Sequence, residues 1–329
     1  MIITQTPLRI SIAGGGTDLA GYYRQRGGYV VSTAIDKFLY VIVKERYDDK
    51  IYVDYSRKEI VDAIDDIQHD LVREAARKAG MTNGFEVNMM ADIPSEGSGL
   101  GSSSSLTVGL LNAFYQYRGE QVSAERLACE ACSIEIDILG KPIGRQDQYI
   151  AAYGGLCAFS FNADDTVTVE RLDVPSSAKR RLGSNLLLFF TNIVRQASNI
   201  LSDQKKKIDD RLAFHDEIKS LAHEVHQSVR DGDFDRIGEI LHRNWELKKQ
   251  LANGVSNEEI DNMYARARAG GALGGKIAGA GGGGFLMVYC RRPDQDNLRD
   301  ALGDYREMPF LLEPHGSRVI FNQERYNWK

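Results

Sequence analysis

Residues 92–106 read DIPSEGSGLGSSSSL, and the interpretation of the whole chain turns on them. A strand-like run, FEVNMMADI (85–93), leads into Pro94. Glycines follow at alternating positions (Gly97, Gly99, Gly101), then four serines, Ser102 to Ser105, and then LTVGLLNAFYQY (106–117), a helix-forming segment. Strand, glycine loop and helix start together aim free backbone N–H groups and the positive end of a helix dipole at an anion. The glycines permit close approach to a ligand, and the serine hydroxyls suit phosphate oxygens or a metal. The stretch is not a P-loop, because no lysine follows Gly101. Nor is it a dinucleotide fingerprint, because no acidic residue closes a defined strand about twenty residues on. A flexible loop that merely caps a helix is the plain alternative.

Toward the N-terminus, TQTPLRISIA (4–13) reads as a strand with Arg9 set among Leu8, Ile10 and Ile12, and it ends in Gly14, Gly15, Gly16, Thr17, Asp18. Arg9 is either a structural ion-pair partner or part of a site. A cation and an anion flanking one glycine turn suit a polyhydroxylated or phosphorylated ligand. Residues 28–44 are strand with a break near 34–37, and 51–56 form another, which predicts a mixed or antiparallel sheet. A helix is expected over 66–80, with Ile67, Leu71, Ala75 and Ala79 on one face and Gly80 as its stop. Ser123 caps a helix over 124–139, where Glu135 borders the apolar stripe. An inward carboxylate there is either a salt-bridge partner or a metal ligand. Asp147 follows in GRQDQYIAAYGG (144–155), a turn-to-helix stretch where a simple capping role is also open. Strands are expected at 156–161, 166–171 and 186–190.

From residue 198 to 269 the pattern is helical, with helices at 207–229, 235–251 and 257–269, the last begun by a Ser256/Glu259 capping box. His215, His223, His226 and His242 lack HExxH spacing and are read as surface or interhelix residues. In GGALGGKIAGAGGGGFLMVYC (270–290) the glycines cost backbone entropy, which implies a tight turn pressed on a ligand or another loop. Segments 285–290 and 317–321 are expected to flank a helix near 294–303 as a terminal β-α-β unit. Domains of 1–192 and 193–329 are expected, with a cleft between them.

Length and composition suit a globular protein: 329 residues, 43% hydrophobic and 26% charged. The net charge of −5 and the lack of a dense basic block argue against nucleic acid. Cys129 and Cys132 fall inside a helical run without a second CxxC, so the four cysteines are read as buried free thiols in a reducing compartment. With no leader-like or membrane-length apolar run, a cytoplasmic protein without a membrane partner is expected.

Three glycine turns plus carboxylates on a neighbouring helix and turn suit phosphoryl transfer. On PLRISIAGGGTDL (7–19), PSEGSGLGSSSS (94–105, resembling PxxxGLGSS) and KIAGAGGGGF (276–285), in this order, the chain resembles the GHMP kinase superfamily over nearly its whole length. The resemblance implies an α+β, two-lobed fold with a left-handed β-α-β unit in the N-terminal lobe. ATP would lie over Pro94, Glu96, Gly97, Ser98, Gly99, Leu100, Gly101, Ser102, Ser103 and Ser104, with Mg²⁺ on Ser103 and Glu135. Asp147 is the implied base toward a sugar hydroxyl, and Arg9 stabilises the transferring phosphate or the base. Gly15, Gly16, Thr17, Asp18, Gly281 and Gly282 would line the substrate site. Gly15 stands where galactokinases carry glutamate and Ser11 where they carry asparagine. The AGGGTDL form with GRQDQYIAAYGG instead resembles bacterial kinases that phosphorylate C1 of D-glycero-α-D-manno-heptose 7-phosphate; fucokinase-like specificity is the near alternative. A 7-phosphate needs a cationic anchor, for which Lys37, Arg145, Arg195 and Lys276 are candidates. Partners are thus ATP and a small sugar phosphate, acted on by a monomer or homodimer. A non-catalytic sugar- and ATP-binding regulator would be expected to lack Asp147, Glu135 or the GLGSS loop, and all three are present.

Overall fold

Strand β1 (Ile2–Ala13) is buried over most of its length, and both halves of the molecule are built on it. The computed structural model describes residues 1–94, 97–194 and 197–323. After β1 come α1 (Ala20–Arg26), β2 (Gly28–Glu45), β3 (Ile51–Asp54), β4 (Lys58–Val61), α2 (Asp70–Lys78), β5 (Phe85–Ala91), α3 (Ser102–Tyr117) and α4 (Ala124–Cys132). Next are α5 (Gln146–Tyr153), β6 (Leu156–Phe161), β7 (Val167–Arg171), α6 (Ser176–Asn185), β8 (Leu186–Phe190), α7 (Ala197–Lys206), α8 (Leu212–Asp231) and α9 (Phe234–Lys248). The chain closes with α10 (Glu258–Ala269), β9 (Ala272–Ile277), β10 (Phe285–Cys290), α11 (Gln295–Ala301) and β11 (Arg318–Asn322).

The larger sheet runs β11-β1-β2-β5-β3-β4, with β6 and β7 continuing from the other half of β2. Only a strand as long as β2, 18 residues, can pair β1 throughout while offering its first half to β6 and its second half to β5. β3 and β5 pair in parallel across the excursion through α2. The smaller sheet is β8-β10-β9. Thus β8, on the N-terminal side of the expected border at 192/193, pairs with β10 far beyond it.

One core fills the space between the larger sheet and α2–α5, with Val41, Phe85, Val108, Phe114 and Ile150 among its buried members. A second joins Leu8, Ile10 and Ile12 of β1 to Leu221 and Val225 of α8, Ile237 of α9 and Met287 of β10. Burying such side chains contributes roughly 1.5–3 kcal/mol each. The two halves therefore share one apolar interior, and Arg9 and Ser11, between those β1 residues, line the cleft.

Several local expectations change. The break near 34–37 is a bulge in a continuous strand: Pro7 pairs with Phe38 and Leu8 with Ile35, so Asp36 and Lys37 are extruded. Pro7 lacks an N–H to donate, which favours an irregular ladder there. The 66–80 helix begins at Asp70, where His69 accepts from the Val72 N–H as its cap. The helix expected from 207 begins at Leu212, and α10 is capped by Asn257, while Ser256 donates to Asp261. No terminal β-α-β unit forms, because β10 and β11 belong to different sheets. His215 takes the interhelix alternative of its reading, buried on α8 and stacked on Tyr22 of α1. Among the thiols, Cys129 is exposed and the other three are buried.

The turn after β1 depends on Gly14, whose φ is +91° and where a Cβ would lie 2.0 Å from the Tyr29 carbonyl oxygen. Gly14→Ala is expected to lower the unfolding free energy by about 2 kcal/mol or more. Urea denaturation checks this; a loss below about 0.5 kcal/mol, the scale of an ordinary surface change, would mean that the turn relaxes freely.

Candidate active site

Arg9 gathers three elements. Its Nε and Nη2 donate to Asp147 Oδ1 and Oδ2 at 2.7 and 2.5 Å, and its Nη1 donates to the Gly99 carbonyl at 2.6 Å. A guanidinium is the cation whose planar fork matches a carboxylate in this way. Arg9 is only 5% exposed, whereas the Asp147 side chain is 23% exposed and open to the cleft. Asp147 stands in the first turn of α5, where the helix dipole favours a carboxylate.

The glycine loop leads into α3, which begins after Gly101 at φ +82° with no side-chain cap. Its first N–H groups are therefore not capped by a side chain. Leu100 is buried and its carbonyl accepts from the Arg9 N–H; Ser98 and Ser102 hydroxyls are 3.2 Å apart. Gly99 and Gly279 let this loop and the β9–β10 turn meet backbone to backbone. A Cβ on Gly99 would lie 2.5 Å from the Ala278 oxygen, and one on Gly279 2.7 Å from the Gly99 oxygen. The later glycine run thus presses on another loop, one of the two outcomes expected of it. Pro94 is exposed ahead of the loop, and Glu96 lies outside the described residues.

Helix α4 gives way to a π-helical segment, Ser133–Ile138. Such insertions re-aim a side chain, and here Glu135 is fully buried, accepting from Ser103 Oγ at 2.5 Å and Gln148 Nε2 at 2.7 Å, with Lys141 Nζ 3.5 Å away. Among the described residues no group of three or more His, Cys, Asp or Glu side chains gathers to hold a metal. A cation here would rely on Glu135, the exposed Ser103 hydroxyl and oxygens of the nucleotide. That hard-oxygen set suits Mg²⁺, which usually takes one or two carboxylates plus substrate phosphates.

Asp18 sits below the Gly14–Gly16 turn. Its Oδ1 accepts from the Gly16 N–H at 2.9 Å and Gln146 Nε2 at 3.2 Å, and its Oδ2 from the Gln146 N–H at 3.2 Å. Gly144 makes room for it, since a Cβ there would lie 1.9 Å from Oδ2. Burial, and then the nearby Asp147 charge, push the Asp18 carboxyl above the usual range.

Two cavities meet at Arg9, Asp147, Ile143 and Gly279. One lies over the loop and is lined by Gly97, Gly99, Gly101, Ser102, Ser103 and Ser104, with Gly281 opposite. The other holds Ser11, Gly15, Gly16, Asp18 and Gln146, faced by Gln204, Asn244, Lys248 and Lys276. The remaining expected residues lie elsewhere. Thr17 is buried and donates to the Gly14 and Tyr29 carbonyls, so it builds the turn. Lys37 is spent on Asp36 at the bulge, and Arg145 on Asp165 and the Tyr23 ring. The Gly282 N–H is tied to the Val255 carbonyl, and Arg195 is outside the described residues.

Gln146, Gln204, Asn244 and Lys248 were not singled out by the sequence, although a signal exists in α9. Asn244 and Lys248 continue the buried stripe of Ile237 and Leu241, and a polar residue on an apolar stripe marks an inward polar group.

The GHMP kinase N-terminal domain model matches residues 66–155 and the GHMP kinase C-terminal model residues 221–306. The chain belongs to the GHMP kinases. Accordingly it is an ATP-dependent kinase of α+β fold. The D-glycero-alpha-D-manno-heptose 7-phosphate kinase of Campylobacter jejuni is 34% identical over 319 residues, 92% of this chain and 93% of that protein. The crystal structure of a D-glycero-D-manno-heptose 1-phosphate kinase from Bacteroides thetaiotaomicron superposes with a TM-score of 0.81 at 24% identity, covering 98% of this chain and 100% of that one. A putative sugar kinase from Campylobacter jejuni gives 0.77 at 28% identity, with 97% of each chain covered.

The buried lysines make the stability of this kinase pH-dependent. Burial, and then Arg9, pull Lys248 down to about 7; burial, then Lys248 and Arg9, hold Lys276 well below the usual lysine range. Between about pH 7 and 9 the unfolded chain therefore binds more protons at these lysines than the folded one, so their contribution makes stability rise with pH. Above that window the buried tyrosines and cysteines, with raised pKa values, act in the opposite sense. Chemical denaturation across pH 7–9 should show a smaller rise for Lys248→Met than for wild type; identical slopes would mean that Lys248 is not buried as a base.

Proposed function

We propose that the chain transfers the γ-phosphoryl group of ATP to the anomeric C1 hydroxyl of D-glycero-α-D-manno-heptose 7-phosphate, giving the 1,7-bisphosphate and ADP. The observation that carries this reading is the Arg9–Asp147 pair at the junction of two cavities, one over a helix N-terminus and one lined by buried polar side chains. The likeness to the Campylobacter jejuni heptose 7-phosphate kinase supports the substrate. So do Gly15 and Ser11, where the galactokinase pattern is broken. We place the reaction in the cytoplasm.

In this reading Asp147 accepts the hydrogen bond of the acceptor hydroxyl and takes its proton as the new O–P bond forms. Arg9 fixes both oxygens of that carboxylate, so the base keeps one orientation. Its third contact, to Gly99, keeps the base in register with the loop carrying the phosphates. The N–H groups of the loop and of the first turn of α3 face the charge on the transferring group. Asp18, held by Gln146, orients sugar hydroxyls. Ser103 and Glu135 would hold Mg²⁺, which when bound neutralises charge on the β- and γ-phosphates.

Asp147→Asn is expected to leave ATP binding nearly unchanged and to lower turnover by about 10²-fold or more. Steady-state kinetics beside nucleotide titration test this, and turnover within a few-fold of wild type would remove Asp147 from the role of base. Glu135→Ala should shift the Mg²⁺ dependence of the rate to higher concentration, and an unchanged titration would remove Glu135 as a ligand. Assaying ADP release with heptose 7-phosphate, fucose, galactose, mannose and their phosphates tests the acceptor. Strong preference for an unphosphorylated hexose would overturn the substrate while leaving the kinase assignment in place.

A further inference from the structure

With Lys248 and Lys276 protonated, the acceptor-side cavity holds more positive charge than its own carboxylates neutralise. Lys276 is 2% exposed, and its ammonium has no hydrogen-bond or ion-pair partner among the described residues. Lys248, 7% exposed, donates among the described residues to the Ile277 and Gly279 carbonyls and to no carboxylate. The third cation nearby, Arg9, is matched in both oxygens by Asp147. The remaining carboxylate, Asp18, already takes three donors from Gly16 and Gln146. Burying a lysine without an anion is costly, and the cost is offset when a ligand brings the counter-charge. Two amide groups point to a ligand independently of charge: Gln204 Nε2 and Asn244 Oδ1 are buried, line the same cavity and have no hydrogen-bond partner among the described residues. Buried polar atoms of this kind are rarely left unpaired.

We propose that Lys248, Lys276 and Gln204 form a seat for a phosphate monoester that the acceptor already carries, distinct from the phosphoryl group being transferred. The placement decides between these two phosphates. Arg9 and Asp147 line both cavities and so mark the transfer point, whereas Lys248 and Lys276 line only the acceptor side. Two ammonium groups and the Gln204 amide supply donors enough for the three outer oxygens of a monoester dianion. Asn244 Oδ1 and the equally unpaired Gln146 Oε1 remain as acceptors for sugar hydroxyls. The seat thus selects a phosphorylated sugar over the free sugar. It rests on the acceptor reading above and names the residues that recognise its phosphate.

The test titrates wild type, Lys276→Met and Lys248→Met by calorimetry, with ADP saturating so that the glycine loop is filled. The probes are heptose 7-phosphate and the same sugar after phosphatase treatment. Wild type should bind the phosphorylated sugar about 30-fold or more tightly than the free one, as expected for a buried charge pair. Each variant should lose most of that preference, and Lys276→Met, whose side chain lines only the acceptor-side cavity, should keep the wild-type ADP affinity. A preference undiminished in both variants overturns the proposal. Inorganic phosphate provides a probe independent of the sugar: with ADP saturating and ionic strength fixed, it should raise the Tm of wild type but not of Lys276→Met. Equal shifts in the two proteins overturn the seat, as does no shift in either. Phosphate stabilisation that depends on Lys276, without turnover of heptose 7-phosphate, leaves the seat standing and removes only the heptose as substrate.

Discussion

A single guanidinium ties the working parts of this kinase together. Arg9 projects from the central strand, grips both oxygens of Asp147 on α5, and reaches the Gly99 carbonyl in the glycine loop. The backbone N–H of the same residue bonds to the Leu100 carbonyl. Strand, helix and loop cannot shift independently without breaking a charge-assisted bond. The apolar neighbours Leu8 and Ile10 are locked into the core shared with α8 and α9, so Arg9 has a rigid base. The role of base proposed for Asp147 needs this kind of support, because misplacement by an ångström costs rate steeply.

The charge layout around that pair divides the labour. On the loop side the cavity is lined by the glycine backbone and serine hydroxyls, with the buried Glu135 behind Ser103. On the acceptor side they are buried carboxylate, amide and ammonium groups. Backbone donors suit a cofactor common to many kinases, whereas side chains can be changed one at a time to suit a particular acceptor. The halves of the chain contribute unequally. The N-terminal half supplies Arg9, Asp18, Glu135 and Asp147, while α7, α9 and β9 supply Gln204, Asn244, Lys248 and Lys276 on the facing wall of the cavity.

Much of this was legible in the sequence, for a physical reason. Loops that cradle phosphates need glycine at fixed spacings and a helix start directly after them, so their residues are contiguous and declare themselves. Glu135 could be seen bordering an apolar stripe, although the π-helical turn that drives it fully inward leaves no mark in an α-helical periodicity. Thr17 and Arg145 show the limit of motif reasoning, since each sits beside a site residue yet turns its side chain to the Tyr29 carbonyl or to Asp165. Gln204, Asn244 and Lys248 lie on helices far from any motif, and their direction is set by how α7 and α9 pack on the rest. The bulge at Asp36 and Lys37 was read as a strand break for a related reason, because a two-residue insertion interrupts the alternation without ending the ladder.

The contact between Gly99 and the β9–β10 turn bears on how the enzyme comes into being on the ribosome. The floor under the nucleotide loop is made by Ala278 and Gly279, about 180 residues further along the chain. A nascent chain lacking residues beyond 270 has the whole glycine loop and all of α3, with the Arg9 bonds to Gly99 and Leu100 on one side of the loop but no floor on the other. Contacts of such long sequence separation form late, after the loop-closure entropy has been overcome. The final shape of the loop is then a property acquired in the last stage of synthesis. ATP bound at that point stabilises the completed two-sheet structure by mass action and draws the late contacts toward closure.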